Sequence, residues 1–365
     1  VPRKHKYEQV RDVLRKRISD YPPGLKISSI AKLHKELSVS TQTINRAISD
    51  LVDEGILERQ SRRGTFVSRP EKSRIIGFIW PETIRRLTRH PYMAAILHGA
   101  QMKARSGDRH LLVASYTDGT HPAFLDGKPQ VAGLLILFNN DVQLVKAYID
   151  RGVPVVLIDP FVRERGVPFV TSDDCLGSHE ATMHLVNLGH RRIVHVTVDL
   201  SNCIPLESRI RGYKDAMLEA GLGGMTYVHR GPFERWDEAG GEAFLDMLRS
   251  VQPTACCCFN DDVAAGVARV CHEGRIGIPD ELSIVGYDDS GIAGETWPPI
   301  TTVRVPLEEL GHTAMRLLDQ LIEEDHLTGP GILLPTQIIE RASTKAPSTR
   351  GLQTPCVEED TAGRY

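Results

Sequence analysis

The sequence predicts an α/β protein: two similar lobes, each a parallel sheet covered by helices, behind a small and mostly helical head. Apolar, β-branched runs at 75–80, 111–114, 132–138, 153–158, 193–198, 256–259 and 282–287 alternate with amphipathic stretches at 92–105, 142–151, 175–188, 209–220, 238–250 and 262–273. A strand ends near 171–173 and a second series of βα units follows, which implies two lobes with a cleft between them. The charge is divided between the parts. Residues 1–70 hold 15 of the 44 Lys and Arg but 8 of the 47 Asp and Glu, so the head carries +7 and the remainder −10, for −3 in all. A basic head on an acidic body points to a polyanionic partner for the head alone. The overall balance excludes a wholly basic nucleic-acid coat and a wholly acidic disordered chain.

A chain of 365 residues is long enough for two or three domains with real cores. The expected divisions are a basic head at 1–68, a polar, Pro-bearing linker at 69–73, a two-lobed domain at 74–343 and an unstructured tail at 344–365. The first lobe is expected to take about 74–171 plus 304–328, and the second about 172–303 plus 329–343. No stretch approaches the roughly 18–20 apolar residues that cross a bilayer, and Val1-Pro2-Arg3-Lys4-His5 lacks the apolar run of a secretory signal. The expected setting is the cytoplasm, without membrane contact. Three of the seven Cys form the run Cys256-Cys257-Cys258. Adjacent side chains on a strand face opposite ways and cannot share a metal, so this run reads as a reduced, buried strand, which also favours the cytoplasm.

In the head, Val10, Val13, Leu14 and Ile18 form one helical stripe, and Pro22-Pro23-Gly24 ends it. A second helix starts near Ser28 or Ser29 and runs to Leu37. The turn Ser38-Val39-Ser40 leads into a third stretch from Thr41 to Glu54, with Ile44, Ala47, Ile48 and Leu51 inward. Two helices joined by so tight a turn predict a helix-turn-helix. Ser40 is the N-cap, and Thr41, Gln42, Thr43, Asn45 and Arg46 form an outward polar turn suited to the major groove. Gln can bond adenine N6 and N7 there, and Arg guanine O6 and N7. Beyond Glu54-Gly55-Ile56-Leu57, two short strands around Arg62, Arg63 and Gly64 read as a wing for phosphate or minor-groove contact. The bland alternative is a solvated helical domain with a protein partner.

These residues resemble the winged helix-turn-helix of the GntR family, through Pro23-Gly24, Val39-Ser40, Thr43, Glu54-Gly55-Ile56-Leu57 and Gly64-Thr65-Phe66-Val67. The resemblance implies binding to double-stranded operator DNA. Thr41, Asn45 and Ala31 stand where that family usually has Arg, and the run Val39 to Arg46 is closer to a LacI-family recognition helix, so the usual GntR operator does not follow.

The body resembles the effector domain of LacI-type regulators, which shares its fold with periplasmic sugar-binding proteins. The matching segments are Thr171-Ser172-Asp173-Asp174, Gly189-His190-Arg191-Arg192-Ile193, Arg209-Ile210-Arg211-Gly212-Tyr213, Phe259-Asn260-Asp261-Asp262, Ile278 to Asp289, and Pro299-Ile300-Thr301-Thr302-Val303. A GntR-like head on such a body is the arrangement of the arabinose-repressor type of regulator. The resemblance implies a homodimeric repressor switched by a small molecule, most plausibly a carbohydrate, with the family's ligand-binding Arg at Arg209. From the chemistry, residues at the carboxyl ends of strands point into the crevice, which selects Asn260, Asp261 and Asp288, with Asp289 beside them. Arg209 can donate in a planar fork to ring oxygens, hydroxyls or a carboxylate. Tyr92, Phe138, Phe161, Trp236 and Trp297 are aromatic candidates for stacking on a sugar face. Against each stands a plainer role: Asp261 or Asp289 could cap the next segment, Arg209 could pair with Glu207, and the aromatics could be packing.

An enzyme is the competing class, yet the chain lacks Gly-x-Ser-x-Gly, Gly-x-Gly-x-x-Gly, the P-loop pattern and His-Glu-x-x-His. His179 and His184, five apart, fall on different faces of one helix, so no metal site and no cofactor is expected. A free-standing sugar-binding protein, the other rival, would carry an export signal and no basic head.

Overall fold

The computed structural model describes residues 6–19, 21, 24–60, 63–67, 73–81, 91–116, 131–200, 202–223, 228–232, 251–324 and 326–348. The expected helix at 238–250, Trp236, Arg62, the connection 117–130 and the chain from 349 lie outside them. The chain divides into two compact units, Val1–Ser73 and Arg74–Tyr365.

The head contains α1 (Lys6–Ile18), α2 (Ile30–Leu37), α3 (Thr41–Asp53), β1 (Leu57–Gln60) and β2 (Gly64–Val67). Its core takes three residues of the predicted stripe: Val10, Leu14 and Ile18 meet Leu33, Ile44, Ala47, Ile48 and Leu51, with Leu57 and Val67 of the wing strands, while Val13 faces outward and is exposed. The turn between α2 and α3 depends on Ser38, held in the left-handed region at φ 52°, while its backbone N–H closes on the His34 carbonyl. A non-glycine residue there is uncommon, and a short polar side chain tolerates it best. β1 and β2 pair antiparallel from Leu57 opposite Val67 to Gln60 opposite Gly64. The strip 24–27 adds a third edge through Gly24 and Ile27 N–H donation to Val67 and Thr65 and Val67 donation to Leu25.

The body has two six-stranded sheets. The first is built from β3 (Ile75–Pro81), β4 (His110–Tyr116), β5 (Gly133–Leu137), β6 (Val155–Ile158), β7 (Phe169–Ser172) and a late strand, β13 (Gly331–Leu334), in the order β13-β7-β6-β5-β3-β4, all parallel. The second takes β8 (Ile193–Asp199), β9 (Val228–Pro232), β10 (Ala255–Cys258), β11 (Ser283–Asp288), β12 (Thr301–Arg304) and β14 (Gln337–Ile339), in the order β14-β12-β11-β10-β8-β9, with β14 antiparallel on the edge. Central strands β5, β6, β10 and β11 are buried throughout, as strands covered on both faces must be. The three consecutive cysteines lie in β10 and are free thiols.

Among the described residues of the body the helices are α4 (Pro91–Ser106), α5 (Val142–Ile149), α6 (Asp174–Asn187), α7 (Ile204–Glu219), α8 (Asp261–Glu273), α9 (Gly291–Glu295) and α10 (Leu307–Glu324). Each lobe contains a helix pair that packs through missing side chains. Gly99 of α4 lies against the Glu308 carbonyl while Gly311 of α10 lies against that of Ile96, and Gly212 of α7 lies against the Cys175 carbonyl of α6. Any Cβ at these three positions would overlap backbone.

The chain passes between lobes after β7, after β12 and between β13 and β14. The third passage differs from the expected boundary at 328/329. β13 pairs with β7, Gly331 opposite Phe169, so the first lobe extends to Leu334, and Pro335, which has no N–H to donate, interrupts the strand before β14. The expected tail also starts later than 344. His190 Nε2 bonds the Lys345 carbonyl at 2.9 Å, Lys345 N–H donates to Ser283 Oγ and the Lys345 ammonium pairs with Asp280, so the segment to 348 is packed.

Candidate nucleic-acid interface and effector cleft

In the head, Ser40 caps α3, its Oγ accepting from Thr43 N–H at 3.1 Å and meeting Thr43 Oγ1 at 2.8 Å. Thr41, Gln42, Asn45 and Arg46 are exposed and Thr43 is half-buried, because Ile44, Ala47 and Ile48 take the opposite face. The Arg46 guanidinium lies 4.0 Å over the ring of Tyr7, which orders a long side chain before it meets anything else. On the wing, Arg63 stands 5.9 Å from the Phe66 ring, and Gly64 holds φ 120°. Several arginines of α1 and its neighbours are occupied within the head: Arg15 pairs with Glu54, Arg11 with Asp50 at 3.9 Å and Arg17 with Glu36 at 2.7 Å. Asp50 and Glu54 at the carboxyl end of α3 are thereby paired, and the amino-terminal turn of α3 carries no acidic residue.

The cleft is assembled from strand ends of both lobes and from the helices α4 and α7, which carry Tyr92 and Arg209. From the first, Tyr92 Oη donates to Asp159 Oδ2 at 2.7 Å and Thr171 Oγ1 to Asp159 Oδ1 at 2.7 Å. From the second, Arg209 Nε donates to Asp174 Oδ1 at 2.9 Å, Nη1 to the Phe259 carbonyl at 2.6 Å, and Nη2 lies 3.3 Å from Asp288 Oδ1. The guanidinium also covers the Tyr287 ring at 3.7 Å. Burial by itself would lower the Arg209 pKa, but Asp174 and Asp288 together hold it well above the ordinary value. Across the cleft, burial and then the nearby Asp174 raise the Asp159 carboxyl to about 6, against the hydrogen bonds from Tyr92 and Thr171. Burial and the Asp159 charge push the Tyr92 phenol well up. An aromatic wall runs from Tyr92 to Phe138 at 5.7 Å and on to Phe161 at 5.5 Å. Left-handed backbone collects at the same strand ends, at Phe138 (52°), Asp159 (42°), Asp288 (100°) and Asp289 (54°). Such strain persists where surrounding structure imposes it, and it concentrates at binding sites.

Of the sequence candidates, the structure brings together Arg209, Asp288, Tyr92 and Phe161. Asn260 and Asp261 have other partners. Asn260 Oδ1 caps α8 by accepting from Val263 N–H at 3.0 Å. Asp261 accepts from Ser290 N–H, Ser290 Oγ and Thr302 Oγ1 at 2.7, 3.1 and 2.6 Å, so it ties distant segments together, and the cap of the following helix foreseen for it falls to Asn260. Asp289 is held by Arg304 at 2.6 Å and Arg341 at 2.5 Å, and Trp297 is 93% exposed. Asp159, Asp174 and Asn139 were not selected from the sequence. Yet Asp159 directly follows β6, and Asn139 and Asp174 follow β5 and β7 by two residues, so the strand-end rule that chose Asp288 also points to them. Among the described residues no cluster of His, Cys, Asp and Glu fits a metal ion, and no helix is long and apolar enough to cross a membrane.

Comparison with known proteins bears on both parts. Residues 6–67 match the model of the bacterial regulatory proteins of the gntR family, and residues 182–344 match the periplasmic binding protein-like domain. The chain joins a GntR-type helix-turn-helix domain to a periplasmic-binding-protein-like domain of the LacI type. An arabinose metabolism transcriptional repressor from Halalkalibacterium halodurans is 28% identical to this GntR–LacI-type chain over 378 residues, covering 95% of the chain and 99% of the relative. A repressor of the same description from Geobacillus stearothermophilus is 29% identical, over 88% of the chain and 92% of the relative. In fold, the chain is similar to a transcriptional regulator CelR–cellobiose complex, at TM-score 0.65 and 24% identity over 84% of this chain and 92% of that one. It is also similar to a LacI family regulator from Enterococcus faecium with bound ribose, at 0.65 and 23% over 75% and 100%. The GntR–LacI-type chain is a DNA-binding transcriptional regulator.

Proposed function

We propose that the chain is a cytoplasmic, homodimeric repressor that binds operator DNA through α3 and the wing and is released by a sugar or sugar derivative held between the lobes. The observation that carries this reading is Arg209 fixed between Asp174 and Asp288, opposite Tyr92, Asp159 and Thr171 on the other lobe. A ligand with several hydroxyls bonds both groups at once and so favours the arrangement in which they face each other. Its differential affinity for that arrangement is what shifts the population. The sugar-bound structures of similar fold and the names of the similar repressors support a carbohydrate. Dimerisation is supported by β4, an edge strand that exposes Leu112 and Val113. An apolar edge in water invites a second copy to cover it, and two joined heads make the second half-site contact intramolecular.

Duplexes recovered from a random-sequence pool with the full-length chain provide the probe. Adding the right sugar weakens their binding about 5- to 150-fold, the range of a coupling of about 1 to 3 kcal/mol. Equal DNA affinity with a bound and an absent sugar would overturn the induction mechanism. Failure to retain any duplex at low salt would overturn the reading as a whole.

A further inference from the structure

We propose that the cleft selects an uncharged polyhydroxylated ligand and turns away the phosphorylated or carboxylated form of the same sugar. This deepens the proposed effector role and rests on it. The argument begins with a census of charge. Three carboxylates, Asp159, Asp174 and Asp288, are at most 8% exposed, and the cation buried among them is Arg209 at 5%. Arg163, exposed and stacked 3.8 Å over Phe169, also acts on Asp174 and Asp159, so three carboxylates face two cations and the excess charge stays negative. The neighbouring acids Asp261 and Asp289 are already held by Ser290 and Thr302 and by Arg304 and Arg341. The guanidinium has five N–H groups, and three of its contacts go to Asp174, the Phe259 carbonyl and Asp288. Its single positive charge is therefore matched twice over by carboxylates. An incoming anion finds donors on it but no uncompensated charge, and it meets like charges where solvent is excluded.

Hydrogen-bond polarity leads to the same class. Ionised carboxylates accept and do not donate, so a ligand lying against Asp159, Asp174 and Asp288 must bring O–H groups. A phosphate or carboxylate brings acceptors. Asn139 provides the converse position: it is fully buried, and its Nδ2 has no partner among the described residues. It stands at the end of β5 beside Phe138, and its Oδ1 already accepts from Asp141 N–H. One neutral amide donor suits a hydroxyl or ring oxygen and is too little for a dianion. Phe138 and Phe161 present apolar faces at the same strand ends, suited to the C–H face of a sugar ring.

The test uses thermal shift and titration calorimetry on the full-length chain with matched pairs: L-arabinose and L-arabinonate, D-ribose and D-ribose 5-phosphate, D-glucose and D-glucose 6-phosphate, cellobiose and cellobionate. The expected result is that a neutral member binds and its anionic partner is weaker by about a hundredfold or more. An anionic member binding as tightly as its neutral partner, or more tightly, overturns the inference while leaving the effector role intact. Silence from all eight overturns the carbohydrate role beneath it. Asp288→Asn is expected to narrow the gap within a binding pair at least tenfold. Asp159→Asn, on the opposite lobe, serves the same purpose should the first variant fail to fold. An unchanged gap in a folded variant removes the charge argument.

Discussion

The side chains proposed to read DNA stand in water, most of them on one helical turn, whereas those of the cleft are buried at the ends of strands from two sheets and on the helices α4 and α7 beside them. Ser40 to Arg46 are consecutive; Tyr92 and Asp288 are almost two hundred residues apart in sequence. The difference follows from the size of what each must meet. A duplex cannot enter a crevice, so its reader has to be exposed, its charges dispersed and each contact weak and sensitive to salt. A small molecule has few atoms, so its site gains strength by removing water and fixing a few polar groups in advance. The cost falls on the cleft, which must keep three carboxylates dry.

The largest expected effect breaks the cleft while sparing the head. Arg209→Met removes the cation between Asp174 and Asp288 and strands two buried carboxylates, which is expected to destabilise the body by about 3 to 5 kcal/mol and to abolish any ligand-induced thermal shift. Since the head has its own core, DNA retention without sugar should persist under conditions where the variant is folded. Urea unfolding and gel retardation on the same preparation check both halves. Loss of less than about 1 kcal/mol would mean that the triad is far more hydrated than its burial indicates.

Titration sharpens the contrast next. Asp159 and Asp261 sit at about 6 in the folded chain, against an ordinary carboxyl value of 3.8. The folded state thus keeps these protons to a higher pH than the unfolded chain does. The stability they add is fully present below pH 3.8 and is lost as pH rises through 6, about 3 kcal/mol for each group. Asp159→Asn should flatten the fall in stability between pH 4 and 6.5, since Tyr92 and Thr171 hydroxyls can still bond a neutral amide. Urea midpoints at intervals across that range decide it, and a slope identical to that of the parent would assign the effect elsewhere.

Within the head, two arginines are expected to separate base reading from phosphate attraction. Arg46→Ala should relax preference at one base position, a loss of about 1 to 3 kcal/mol in discrimination, while Arg63→Ala should weaken all duplexes alike and flatten the salt dependence by about one unit of slope. Sugar affinity in the cleft should hardly respond to the same change of salt. A recovered duplex set unchanged in sequence for Arg46→Ala would remove the assigned groove contact.

The head was legible in the sequence because its site is local. One amphipathic period places Ile44, Ala47, Ile48 and Leu51 inward and therefore Gln42, Asn45 and Arg46 outward, with no knowledge of the rest of the chain. The cleft was legible in part. The strand-end rule found Asp288, and Arg209 came from the family resemblance. What local pattern does not contain is which distant group will claim a polar side chain. Asp261 looked as available as Asp288 until the fold brought Ser290 and Thr302 to it, 29 and 41 residues away. The third passage between lobes was misplaced for a related reason: β13 is an edge strand whose side chains alternate between exposed and half-buried, so its pattern is weak and its sheet is decided by pairing with β7.

The smallest expected effect concerns Ser40, where stability and recognition meet in one hydroxyl. Its Oγ accepts from Thr43 N–H, an amide that the first turn of a helix leaves without an internal partner. Ser40→Ala should cost the head about 1 kcal/mol, while Ser40→Asp keeps the cap and adds a negative charge at the end of α3 that would approach phosphate. The two variants separate the roles. If Ser40 acts only as a cap, the Asp variant binds DNA as well as the parent and the Ala variant binds more weakly in step with its stability. If the turn lies against the duplex, the order reverses: the Asp variant is as stable as the parent but binds DNA less well than the Ala variant, and the deficit shrinks as salt rises. The exposed position of Ser40 and the absence of acids from the first turn of α3 lead us to expect the second order.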